Sequence, residues 1–254
     1  MKTFVPLAWA VAANSFAESV RHRFFTLFTV FAFTAIYASV LAGVMAVDEE
    51  ARVLADLGLA LMELTTLAYV LFQASSSLLK EAETKTIYLV FSRPVPRGVY
   101  LAGKMGGVML TAAFMLGVMG LMHVALLAFR GFPVPAGYGW ALAGSFMKLA
   151  VITAFAFFVS LFSTSAVSTL VISGIMWTLG HFVSETRFMA EQASGFKAAL
   201  LKGTLLLIPN LQLFNARDVM GAACSITPAA VFAGAAWILA AYFASLWLLA
   251  GKEF

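Results

Sequence analysis

Apolar runs long enough to cross a bilayer constrain this chain more than any other feature. A spanning helix needs about 20 mostly apolar residues. Six stretches reach that length: 24–47, 57–79, 101–129, 138–162, 166–184 and 228–250. Spanning β-strands are excluded, because they are about ten residues long and alternate in polarity. Composition matters here because of what it forbids. Hydrophobic residues make up 62% of the chain and charged residues 11%, against about 25% charged in a soluble domain. A water-soluble fold could not hide so much apolar surface. The expected fold is all-α, a polytopic membrane protein with six transmembrane helices forming a single domain over 1–254.

Three further elements are expected. Before the first span, Trp9, Ala12, Ala13, Phe16 and Val20 share one helical face, and Asn14, Glu18 and Arg21 share the opposite one. That spacing predicts an interfacial helix over 4–23; a plain extension of the first span is the alternative. The segment also resembles a secretory signal, with Lys2 ahead of an apolar run. It continues into Arg21-His22-Arg23 and a full-length span, so retention is expected. The loop 185–227 contains an apolar stretch, 198–208, that is too short to span, holds Lys202 and ends at Pro209-Asn210. It predicts short re-entrant or interfacial helices before the last span; a seventh span is the alternative.

The net charge is +4. No dense basic run interleaved with aromatics exists, so nucleic acid is not an expected partner. The cations instead follow the positive-inside rule and suit anionic lipid. With the N-terminus cytoplasmic, the inner segments hold Lys2, Arg21, Arg23, Lys80, Lys85, Arg93, Arg97, Lys104 and Lys252. The short outer loops hold Arg52 and Arg130, beside the acidic Asp48, Glu49 and Glu50. Arg187, Lys197, Lys202 and Arg217 lie in the long loop, which counts for less. Both termini are therefore expected in the cytoplasm, and the chain in the cell's inner (cytoplasmic) membrane. Cys224 is the only cysteine, so no intrachain disulfide is possible.

No catalytic residues, metal cluster, nucleophile elbow or dinucleotide fingerprint are evident. Gly98 to Lys104 has the spacing of a phosphate-binding loop, but Met105 stands where a Ser or Thr should hold magnesium, and the segment opens a span. No cofactor is expected on this chain. Within the spans, Glu63 and Lys148 have opposite charge at similar depth, with His123 and His181 toward the same side. Buried ionisable groups in lipid are costly and face a partner or a cavity. These four form a candidate intramembrane polar site, either a substrate or exit site or a packing clamp between helices. Met105, Met109, Met115, Met119 and Met122 line the third span beside His123. They suit copper(I) or plain packing. Gly103 and Gly107 form a small-xxx-small pair for close helix approach.

The segment 80–97 is the most informative. Glu81 and Lys85 have helix-supporting spacing, Ile87 to Phe91 is largely apolar, and Pro94 and Pro96 stop any helix. A short helix with an apolar face held outside the membrane wants a protein groove; apolar residues dipping into headgroups are the alternative.

Glu83, Lys85-Thr86-Ile87, Ser92-Arg93-Pro94-Val95, Arg97 and Gly103-Lys104 resemble a pattern in ABC-2 type permeases. There an acidic residue precedes Gly-Thr-Leu, Ser-Lys/Arg-Pro-Val-x-Arg and Gly-Lys; here Lys85 stands where Gly is usual. Ile208-Pro209-Asn210 through Asn215 is similar to a segment before the last span in the branch that includes the nitrous-oxide-reductase maturation permeases. The resemblance covers essentially the whole chain. It implies the membrane subunit of an ATP-driven exporter, paired with a second, identical or different, permease. ATP and magnesium would sit on cytoplasmic ATPase subunits, and an extracytoplasmic partner protein is a further candidate. It also implies that 80–97 is a coupling helix docking on the ATPase through Glu81, Glu83, Lys85, Thr86, Ile87, Tyr88, Leu89, Phe91, Arg93 and Arg97. An ion-gradient carrier and a membrane scaffold are the alternatives.

Overall fold

The computed structural model describes residues 4–46, 49–85, 95–216 and 226–251. Among them every regular element is helical: α1 (Phe4–Arg21), α2 (Arg23–Met45), α3 (Glu50–Glu83), α4 (Arg97–Phe129), α5 (Tyr138–Phe162), α6 (Ala166–Gly180), α7 (Val183–Gln192), α8 (Phe196–Leu207) and α9 (Pro228–Ala250), with a 3-10 turn at Leu211–Phe214 before α9. Five helices are long and apolar enough to cross a membrane, or six if the bent pair α6–α7 counts as one span. This is the architecture of a polytopic membrane protein. Helix α5 is the hub. It packs against α3, α4, α6 and α9, and Leu149, Ile152, Ala154, Ala156 and Phe157 along it are fully buried.

Helix α3 runs beyond its apolar core at both ends, and α4 by one turn at its start. At 34 and 33 residues they are about 50 Å long, against about 30 Å of hydrocarbon. The expected second span stopped at 57–79 because only apolar residues were counted. Glu50, Arg52 and Asp56 extend the helix at one end, and residues 80–83 at the other, because none of them breaks a helix. The separate helix expected from Lys80 is thus corrected at its start: residues 80–83 are the last turn of α3. Lys85 follows with φ +58°.

Helix α1 lies along the overhanging part of α4. Its packed face overlaps the apolar one only along one edge, at Ala12 and Phe16. Ala12, Ser15 and Ser19 are buried, while Trp9 is exposed. The reason is steric. A Cβ on Gly103 would come within 2.5 Å of Val11, and one on Gly107 within 2.5 Å of Ser15. The glycine pair makes a groove into which Val11 and Ser15 of α1 fit.

The expected fifth span, 166–184, is not one straight helix. Helix α6 stops after 15 residues, about 22 Å, and α7 departs at 60°. Gly180 at the break touches the next segment so closely that a Cβ there would lie 2.7 Å from Leu211 Cγ and 2.9 Å from the Pro209 carbonyl. Helix α8 then runs with no buried residue and ends just ahead of Pro209, which has no N–H to continue it.

Candidate functional site

Two polar constellations sit on this frame. The first is deep in the bundle. Glu63 on α3 and Lys148 on α5 are 6% and 2% exposed. Lys148 Nζ donates to both carboxylate oxygens, at 2.9 and 3.2 Å, and Ser145 Oγ donates to Oε2 at 2.6 Å. Lys148 also donates to Asn215 Oδ1. Each charge therefore meets its counter-charge and a further polar group, the condition under which a buried pair is tolerable.

Asn215 terminates a stretch that inserts between α5, α6 and α9 on three glycines. Gly180 receives Pro209 and Leu211, Gly144 receives the Phe214 carbonyl, and Gly234 lies against the Phe214 ring, 2.8 Å from where its Cβ would be. Leu211 and Phe214 are buried. Asn210 caps the 3-10 turn, its side chain accepting from the Gln212 N–H at 3.1 Å. The sequence marks Asn215 as the end of this segment but does not show its contact with Lys148. Nothing in the chain order joins residue 215 to residue 148.

The two histidines stand apart from this pair. Tyr138 Oη lies 2.9 Å from His123 Nδ1, and His123 Nε2 lies 3.3 Å from the Leu54 carbonyl. A neutral ring protonated on Nε2 satisfies both contacts, with the tyrosine donating to Nδ1. The ring presses on Gly58 of α3, so His123 clamps α3, α4 and the start of α5 together. His181 lies at the α6–α7 bend, its Nδ1 donating to the Trp177 carbonyl at 2.9 Å. Met105, Met115 and Met119 are buried core residues. Among the described residues no group of three His, Cys, Asp or Glu could hold a metal ion.

The second constellation lies where α3 ends and α4 begins. Glu81 accepts from Tyr100 Oη and pairs with Lys104. Lys104 also lies 3.9 Å from Glu18 of α1, with its own side chain 8% exposed. One turn away, Arg97 Nη1 donates to the carbonyls of Leu249 and Ala250, at 2.6 and 2.9 Å, closing the last carbonyls of α9. Tyr242 of α9 donates to the Gly98 carbonyl at 3.1 Å. Three helices are thus tied together at the root of the 80–97 segment. Of the residues expected to dock an ATPase, Glu81 and Arg97 are engaged within the bundle, and Glu83 and Lys85 are exposed. Thr86, Ile87, Tyr88, Leu89, Phe91 and Arg93 lie outside the described residues.

These features define a class, a multi-pass helical membrane protein with a buried charge pair and a braced helix end. No model of a known protein family matches the chain, and no curated protein matches it.

Proposed function

We propose that the chain is the membrane-spanning subunit of an ATP-driven exporter of the ABC-2 type. A separate ATPase would dock on residues 80–97 on the cytoplasmic side. The observation that carries this is the brace at the root of that segment. Glu81, Tyr100 and Lys104 tie the end of α3 to the start of α4, and Arg97 ties both to α9. A force applied to the segment would therefore reach three helices at once rather than being lost in a loose loop. Lys85 adds support. It stands where the resembling family usually carries Gly, and its φ of +58° is the left-handed conformation that glycine adopts most easily.

An ion-gradient mechanism has less behind it. Such a carrier needs charges that can exchange partners, whereas Glu63 and Lys148 are held to each other and to Ser145 and Asn215.

The test is Tyr88→Ala with Leu89→Ala, followed by affinity purification from the native membrane. The permease should remain in the membrane at its normal level. The co-purifying ATPase should be lost, or its hydrolysis should fall to the level of the isolated ATPase. Unchanged recovery and unchanged stimulation would overturn docking through this segment. Failure of the wild-type chain to bring down any ATPase would overturn the functional assignment.

A further inference from the structure

A cavity of about 450 Å³, lined by Phe72 and otherwise by polar and charged residues, opens beside the braced end, between α1, α3 and the start of α4. Its wall on α3 is a stripe at helical spacing, Gln73, Ser76, Ser77, Lys80 and Thr84. Across from it stand Glu18 and His22, with Lys104 at the back. Lys80, Glu81 and Thr84 belong to the first turn of the 80–97 segment, but neither the buried pair nor that segment accounts for Glu18, His22, Gln73, Ser76 and Ser77.

The depth of the cavity follows from the chain. His22 is the corner at which α1 gives way to α2, and α2 carries the first apolar span, Phe25–Met45. Helix α1 holds Asn14 and Glu18 and lies across the overhang of α4. The α1–α2 corner therefore lies at the boundary between hydrocarbon and water, the level of lipid headgroups. Flanking Arg21 and Arg23 suit that level.

The charges in the wall come in both signs. Glu18 and Glu81 are balanced by Lys80 and Lys104. A ligand of one sign would be repelled by half of the wall; a zwitterion meets both halves. Lys104 is held closely by Glu81 and lies 3.9 Å from Glu18, the longer of its two ion pairs. Glu18, with half of its side chain exposed, is the carboxylate that faces the opening, and Lys80 is the exposed cation. Glu18, Gln73 and Ser77 offer hydrogen-bond acceptors, which a primary ammonium can use and a quaternary one cannot.

We infer that this cavity binds the zwitterionic headgroup of phosphatidylethanolamine, with the ammonium on Glu18 and the phosphate toward Lys80. Nothing in this assignment requires the chain to be a transporter subunit; it requires only that α2 spans the membrane.

The test is native mass spectrometry of the intact chain, delipidated and offered equal phosphatidylethanolamine, phosphatidylcholine and phosphatidylglycerol, with soluble glycerophosphoethanolamine as a competitor in a separate arm. Phosphatidylethanolamine should be retained in preference to both other lipids. Glu18→Gln should lower that preference about tenfold, the equivalent of one charge-assisted hydrogen bond. Ser77→Phe, which fills the cavity without touching a charge, should lower it similarly. Equal retention of all three lipids, preference for the anionic lipid, or preference unchanged in Ser77→Phe would each overturn the assignment. Binding of the soluble compound without retention of the lipid would overturn the lipid as the source.

Discussion

At the scale of single residues, the buried pair sets the sharpest expectations. Glu63 and Lys148 lie in a medium where an unpaired charge has no water to turn to. Glu63→Gln leaves the ammonium of Lys148 with only the neutral amides of Gln and Asn215 and no counter-charge, and removing one member of such a pair costs about 3–5 kcal/mol. Adding Lys148→Met removes the stranded charge. The double variant should therefore unfold at a higher temperature than Glu63→Gln alone, measured by thermal unfolding in lipid nanodiscs. A double variant no more stable than the worse single one would mean that the two side chains do not act as a simple pair. This pair was legible in the sequence because two opposite charges in apolar runs at similar depth have few other partners to find. The contact between Asn215 and Lys148 was not legible. Asn215 reaches Lys148 only because Gly144, Gly180 and Gly234 on three different helices leave room for the chain to dip inward, and no local pattern reports a coincidence of glycines 90 residues apart.

At the scale of elements, glycine against small side chain decides how α1 is held. Gly107→Leu should push α1 off α4, since even a Cβ there meets Ser15 at 2.5 Å and the Ala12 carbonyl at 2.8 Å. Overpacking of this kind costs about 1–3 kcal/mol. Limited proteolysis should then cut between α1 and α2 near Arg21 and Arg23, while α2 to α9 stay intact. Unchanged protection would show that α1 is held by Tyr69 and Gln73 of α3, which bond to Ser19 at 3.3 and 3.1 Å. The sequence marked out α1 and the Gly103–Gly107 pair as separate features; their meeting is a tertiary fact. Element lengths divided in the same way. Spans whose apolar run coincides with the whole helix, 138–162 and 228–250, were read to the residue. Helix α3 was read too short, because helix continues through charged residues once tertiary contacts support it. The span 166–184 was read as whole because hydropathy is blind to the break at Gly180, which packing against Leu211 imposes.

At the scale of the whole molecule, the overhang of α3 and α4 gives the bundle a polarity. At one end α3 begins and α4 stops, joined by an ion pair between Glu50 and Arg130. At the other, α3 and α4 continue past the level of Tyr69, where the rings of Phe25 and Phe28 at the start of α2 pack. The overhanging end collects Lys80, Lys85, Arg97 and Lys104 together with the Arg21–Arg23 corner. The opposite end has Arg52 and Arg130 beside Glu49 and Glu50. Lysine and arginine in short segments set orientation, whereas acidic residues contribute little. The overhang should therefore face the cytoplasm, with Glu50 and Arg130 outside. Single cysteines are best introduced in a Cys224→Ser background, since Cys224 is the one native thiol. In intact cells, Glu49→Cys should react with a membrane-impermeant maleimide, and Lys85→Cys should react only after the membrane is opened. Both positions are exposed in the isolated chain, so a failure to label does not report burial within the bundle, and labelling of Lys85→Cys is read after the membrane is opened and any ATPase is stripped. Labelling of Lys85→Cys alone in intact cells would invert the molecule. It would put the 80–97 segment out of reach of any ATPase, while leaving the Glu63–Lys148 pair, the α1 groove and the headgroup cavity where they are.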